Sequence, residues 1–163
     1  QVIEINPQIK MMAKKYSSFK HFLYLGRGLN KPIAYEGALK LKEVSYIHSE
    51  GYSAGQMKHG PIALVDHNIP ILAMALSDNY YEKMRSTVQE IKARSGILIG
   101  LVTKGNYDLD ELIDDVIEIP DCPQYLTPFL TIIPLQLFAY YIAIELGYDV
   151  DQPRNLAKTV TVE

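Results

Sequence analysis

Cysteine is almost missing from this chain. Cys122 is the only one in 163 residues, so no internal disulfide can form and no zinc ligand set can be assembled around it. An excess of charge of one sign is lacking too. Sixteen Lys and Arg against nineteen Asp and Glu leave a formal charge of −3, spread along the chain, and without a basic stripe no nucleic-acid partner is expected. No uninterrupted apolar run reaches the roughly 18 residues of a membrane span. The longest, around residues 132–144, contains Pro134 and Gln136 and reads as a buried helix, so no membrane partner is expected. Neither a signal nor a transit peptide is visible, and there is no repeat, low-complexity segment or linker. These absences point to a reducing, cytoplasmic setting. The Gly-Lys-Ser/Thr of a P-loop is also missing. Gly26-Arg27-Gly28 begins like a dinucleotide fingerprint, but Lys31 stands where the third glycine belongs, which rejects NAD. No cofactor and no metal is expected.

What remains is ordinary globular composition, 48% apolar and 21% charged, over the length of one domain. The first residue is Gln1 rather than Met, which fits a piece of a longer protein. Residues 3–19 predict a helix with Lys10, Lys14 and Lys15 toward water. The run HFLYL at 21–25, stopped by Gly26-Arg27-Gly28, predicts a strand and a turn. Pro32 suits the first turn of a second helix reaching about residue 47, with Ile33, Leu39, Tyr46 and Ile47 among its buried positions. Residues 49–61 hold three glycines and read as turns. Residues 69–76, 97–103 and 115–119 predict buried strands. Residues 79–95 predict an amphipathic helix, closed by Gly96 just past its end. Residues 127–147 predict a long apolar helix, in which Pro134 implies a kink or a delayed start. Strands alternating with helices give an α/β class: a three-layer α/β/α sandwich on a parallel sheet, with ligands expected at the carboxyl ends of the strands.

Glu36, Lys40 and Glu43 are spaced by four and three residues, which sets all three on one face of the second helix. A solvated ion-pair ladder is the plain reading of such a face. A carboxylate beside an ammonium in a partly dry cleft, next to residues 49–61, is instead poised for proton transfer. His59 precedes Gly60-Pro61, a turn that would fix the direction of an imidazole able to pass protons to a sugar ring oxygen. Lys158 sits between Ala157 and Val160, so its stem can pack; a desolvated lysine there could attack a carbonyl. Cys122, before Pro123, reads as structural.

The stretch EGALKLKE at 36–43, the loop ending Lys58-His59-Gly60-Pro61, and the terminus DQPRNLAKTVTVE together resemble the C-terminal end of the glutamine–fructose-6-phosphate aminotransferase family. The resemblance implies the second of two sugar isomerase (SIS) subdomains, spanning residues 1–163 and including a catalytic tail at 148–163 that closes on the family's natural C-terminus. It implies a five-stranded parallel sheet. Four strands are read above; the fifth is left to residues 62–65 or to the tail. The implied reaction turns fructose 6-phosphate and glutamine-derived ammonia into glucosamine 6-phosphate. Glu43 would move a proton from C1 to C2, His59 would open the sugar ring from a neighbouring subunit of a homodimer, and Lys158 would form a Schiff base at C2. Glu36 and Lys40 would support this proton traffic. The glutaminase domain and the first SIS subdomain would lie elsewhere in the parent chain. Ser77-Asp78-Asn79 stands where the family's hydroxyl-rich phosphate loop would be, so this piece alone is expected to bind fructose 6-phosphate weakly and to be inactive. A non-catalytic SIS module that senses a phosphosugar, or one that serves dimerisation, is the alternative.

Overall fold

Residues 70–75 and 97–103 are apolar at almost every position because both faces of their strands are covered. The computed structural model, which describes residues 2–156, places them side by side as β3 (Pro70–Ala75) and β4 (Ile97–Thr103). With β1 (His21–Gly26), β2 (His48–Ser53) and β5 (Asp115–Ile119) they form one five-stranded sheet of order β2-β1-β3-β4-β5, with every pairing parallel. Side chains alternate between its faces. Phe22, Tyr24, Leu72 and Met74 point to a layer made of α1 (Asn6–Tyr16), α2 (Lys31–Ser45) and α4 (Thr127–Glu145). Leu23, Leu25, Ile71 and Ala73 point to a layer made of α3 (Tyr81–Lys92) and the 3-10 turn Ala54–His59, whose Ala54 and Met57 are buried there. The α/β/α sandwich is therefore as expected.

Several local readings need correction. The fifth strand is β2, inside the stretch read as turns, and residues 62–65 belong to no strand; Pro61–Leu64 is a 3-10 turn. β2 lies at the sheet edge and is held from above by the Ser49 hydroxyl, which donates to the Ala38 carbonyl of α2 at 2.6 Å. Leu39 is not buried: it is 42% exposed, because α2 turns that side toward the open edge. Ile33 and Tyr46 are only half-buried, while Ile47 is buried as expected. α3 ends at Lys92, and the left-handed residue beyond it is Ser95 (φ 59°), not Gly96. α4 starts at Thr127 without delay and continues through Pro134, which takes one bond, to the Leu130 carbonyl, out of the ladder.

α4 with the turn before it (Gln124–Glu145) is long and apolar enough, by length and composition, to cross a membrane, contrary to the run-based expectation. Its inner face is that of a core helix: Leu135, Phe138, Ala139 and Ile142 pack among α1, α2 and the sheet. The Gly26-Arg27-Gly28 turn has a packing reason rather than a nucleotide. A Cβ on Gly26 would fall 2.0 Å from the Asn30 carbonyl oxygen, which blocks any larger residue where β1 turns into α2.

Candidate active site

Glu36, Lys40 and Glu43 do share one face of α2. The Lys40 ammonium donates to Glu43 Oε2 at 2.5 Å and lies 3.6 Å from Glu36 Oε1. Their side chains are 40%, 32% and 27% exposed in chain order, so Glu43 is the most covered of the three. The hydrogen bond to Glu43 holds the Lys40 ammonium above its ordinary range; partial burial works the other way and is outweighed.

This face looks toward α4, not toward residues 49–61. Lys40 and Val44 line a groove of about 250 Å³ whose opposite wall is Gln136, Ala139 and Tyr140, closed by Val150 and Asp151. The side of α2 that meets β2 is a different one, carrying Tyr35, Ala38, Leu39 and Lys42. Because α2 runs back from the end of β1 to the start of β2, Glu43 lies toward the amino ends of the strands. The expectation of chemistry at the carboxyl ends does not hold for this cluster.

The segment beyond α4 returns across the end of α2 through contacts that the sequence reading missed. Tyr46 takes the left-handed conformation (φ 59°) and donates its N–H to the Lys42 carbonyl, ending the helix. Its ring stands edge-on to Tyr148 at 4.9 Å and carries the Arg154 guanidinium at 4.0 Å. Its hydroxyl oxygen accepts from the Arg154 N–H at 2.7 Å. The signal available was an aromatic residue at a helix end and an aromatic and a cation in the tail. Lys158 itself lies outside the described residues.

His59 is exposed at the end of the 3-10 turn Ala54–His59, which packs on the α3 side. Gly60 follows with φ 148°, a conformation that suits glycine and reverses the chain before Pro61. Glu43 and His59 thus occupy opposite layers of the sandwich, and one chain does not bring them together. Cys122 is half-buried, and burial together with the Asp121 charge pushes its thiol up, away from nucleophilic use.

The loop after β3 has its groups engaged internally. The Ser77 N–H donates to Thr103 Oγ1 at 2.9 Å, the Ser77 hydroxyl accepts from Asn106, and Asp78 accepts from the Tyr80 N–H. Burial raises the Asp78 carboxyl, and an anion placed there would meet it. The Thr103–Asn106 turn likewise only connects elements: the Lys104 N–H donates to Ile119 and that of Asn106 to Thr103.

The sheet order and the helix layers have a counterpart among known families. The model of the SIS domain matches residues 15–146. The chain belongs to the SIS domain family. This SIS chain is 58% identical over all 163 residues to glutamine–fructose-6-phosphate aminotransferase [isomerizing] of Aquifex aeolicus, of which it covers 28%. It is 52% identical over 163 residues to the protein of that name from Thermus thermophilus, of which it covers 27%. It therefore spans little more than a quarter of the length of these curated relatives. A solved structure, the C-terminal domain of glucosamine-fructose-6-phosphate aminotransferase from Francisella tularensis, matches with a TM-score of 0.85 and 43% identity, over 93% of this chain and 43% of that one. The resemblance read from the three motifs and the five-stranded SIS fold both stand.

Proposed function

We propose that this SIS chain is the second isomerase half of an enzyme that makes glucosamine 6-phosphate from fructose 6-phosphate and ammonia released from glutamine. The parent chain would supply a glutaminase domain and a first SIS subdomain carrying the phosphate grip. The unit would run over residues 1–163, with the tail 148–163 as its catalytic end, in a cytoplasmic homodimer. The single observation that carries this reading is the Glu36–Lys40–Glu43 cluster, whose Lys40 lines a groove between two helices walled by the start of the tail.

The chemistry suits these groups. A ketose becomes an aldose when a proton leaves C1 and one arrives at C2, which a single carboxylate can carry if it is aimed at both carbons. Lys40, hydrogen-bonded to Glu43, fixes that carboxylate's direction, and Glu36 holds Lys40 from the preceding turn. Lys158 would form a Schiff base at C2 with loss of water, ammonia would displace the lysine to leave a C2 imine that acidifies the neighbouring C1–H, and His59 of a second copy would serve ring opening. The occupied Ser77–Asp78 loop favours a phosphate grip outside this chain. The exposed apolar side chains of α4, with Phe129 68% exposed, favour a covering partner over a free-standing sensor module.

The test uses the full-length enzyme. Glu43→Gln should lower isomerisation by about 10²–10⁴-fold and leave glutamine hydrolysis measurable. Equal loss of both activities refutes the role. Calorimetric titration of the 163-residue chain with fructose 6-phosphate should give no micromolar binding; tight binding would refute a phosphate grip supplied from outside.

A further inference from the structure

Two imidazoles meet at the amino ends of the first two strands. The parallel register pairs His21 of β1 directly with His48 of β2. Their Nδ1 atoms are 3.4 Å apart, with the ring planes inclined at 71° and the centroids 5.5 Å apart. The far side of His48 is held separately: its Nε2 lies 3.5 Å from Glu50 Oε1, and Glu50 Oε2 accepts from the Tyr52 hydroxyl. A carboxylate only accepts hydrogen bonds, so Glu50 favours the tautomer of a neutral His48 that carries its proton on Nε2. In that tautomer the lone pair of His48 is on Nδ1, the nitrogen that faces His21.

With no ion between them the two nitrogens are at N–H···N hydrogen-bond distance, and the same separation is the span that a metal ion bridges. Two imidazole nitrogens, each about 2.0–2.1 Å from a tetrahedral ion, stand about 3.3–3.4 Å apart. A carboxylate behind one ligating imidazole is the usual device for setting its tautomer and direction. Imidazole nitrogen favours zinc, nickel and copper over magnesium or calcium. Both histidines are exposed, His48 to 60%, so the other coordination positions open to water. Among the described residues no third His, Cys, Asp or Glu completes the set, so the ion would keep water ligands and bind at moderate strength.

We propose that His21 and His48 form a two-histidine site for a divalent transition metal of the zinc class, with Glu50 as its orienting carboxylate. The bound ion clips the edge strand β2 to β1. The site shares no residue with the α2–α4 groove, so it stands or falls independently of the isomerase reading.

Titration of the 163-residue chain with zinc chloride tests it. The expected result is one-to-one micromolar binding, weakened at least tenfold by His21→Ala and by His48→Ala, and about 10–100-fold by Glu50→Ala. A second measurement needs no variant: substoichiometric nickel chloride should broaden the imidazole NMR signals of His21 and His48 before those of His59 and His67. Absence of saturable binding, unchanged affinity in both histidine variants, or broadening that begins at His59 or His67 overturns the proposal.

Discussion

Tyr24 carries a buried hydroxyl that makes no hydrogen bond among the described residues. Its ring is fully buried under α2, and burial pushes the phenol far above its ordinary range. A buried polar group left unpaired costs about 1–3 kcal/mol. Tyr24→Phe should therefore stabilise the chain by roughly that amount, read as a higher urea midpoint with an unchanged slope. Destabilisation would mean that the hydroxyl has a partner in the protein. The orphaned oxygen could not be read from HFLYL, since an apolar run reports that a side chain is covered but not what covers it. The Glu36–Lys40–Glu43 face was legible, because 3.6 residues per turn makes spacings of three and four neighbours in any helix. Which way that face looks was not. The same periodicity would suit a face toward β2, and Leu39, expected inside, is at the open edge.

Elements pair through single side chains as much as through broad faces. Asp114, just before β5, accepts from the Leu98 N–H in β4 at 2.8 Å and from Lys92 at the end of α3 at 2.8 Å. Partial burial alone would raise its carboxyl, but the Lys92 and Leu98 hydrogen bonds and the charges of Lys92 and Lys15 outweigh burial and hold it below the ordinary range. A carboxyl depressed in the folded state adds stability above its unfolded value of about 3.9, and that stability is lost as pH falls toward the lower folded value. Asp114→Asn should thus cost about 1 kcal/mol at pH 7, and the gap from wild type should close below about pH 4. A constant gap between pH 7 and pH 3 would contradict this account. β4 was legible to the residue as an apolar run, and β5 through the β-branched Val116, Ile117 and Ile119 of Asp-Val-Ile-Glu-Ile. β2 was not, because His-Ser-Glu-Gly-Tyr-Ser has neither run nor alternation. Its strand state comes from pairing with β1 and from the Ser49 bond to α2, which are tertiary facts.

At the scale of the whole molecule, the sandwich itself sets a condition on the proposed catalysis. Glu43 belongs to the α1–α2–α4 layer and His59 to the α3 layer, with the sheet between them. If both serve one sugar, the His59 must come from another copy. In a two-fold symmetric dimer each site would then draw Glu43 from one chain and His59 from the other. Full-length enzyme carrying Glu43→Gln and full-length enzyme carrying His59→Asn should each be inactive in isomerisation. Unfolded and refolded together, half of the dimers are mixed, and each mixed dimer places both lesions in one site and leaves the other intact. Activity should recover to about a quarter of wild type. Were His59 to act within its own chain, every site in the mixture would carry one lesion and no activity would return. Recovery therefore separates a shared site from a private one: its absence would put Glu43 and His59 in one chain's site, against their placement in opposite layers, and an active His59→Asn enzyme would remove His59 from the catalytic set.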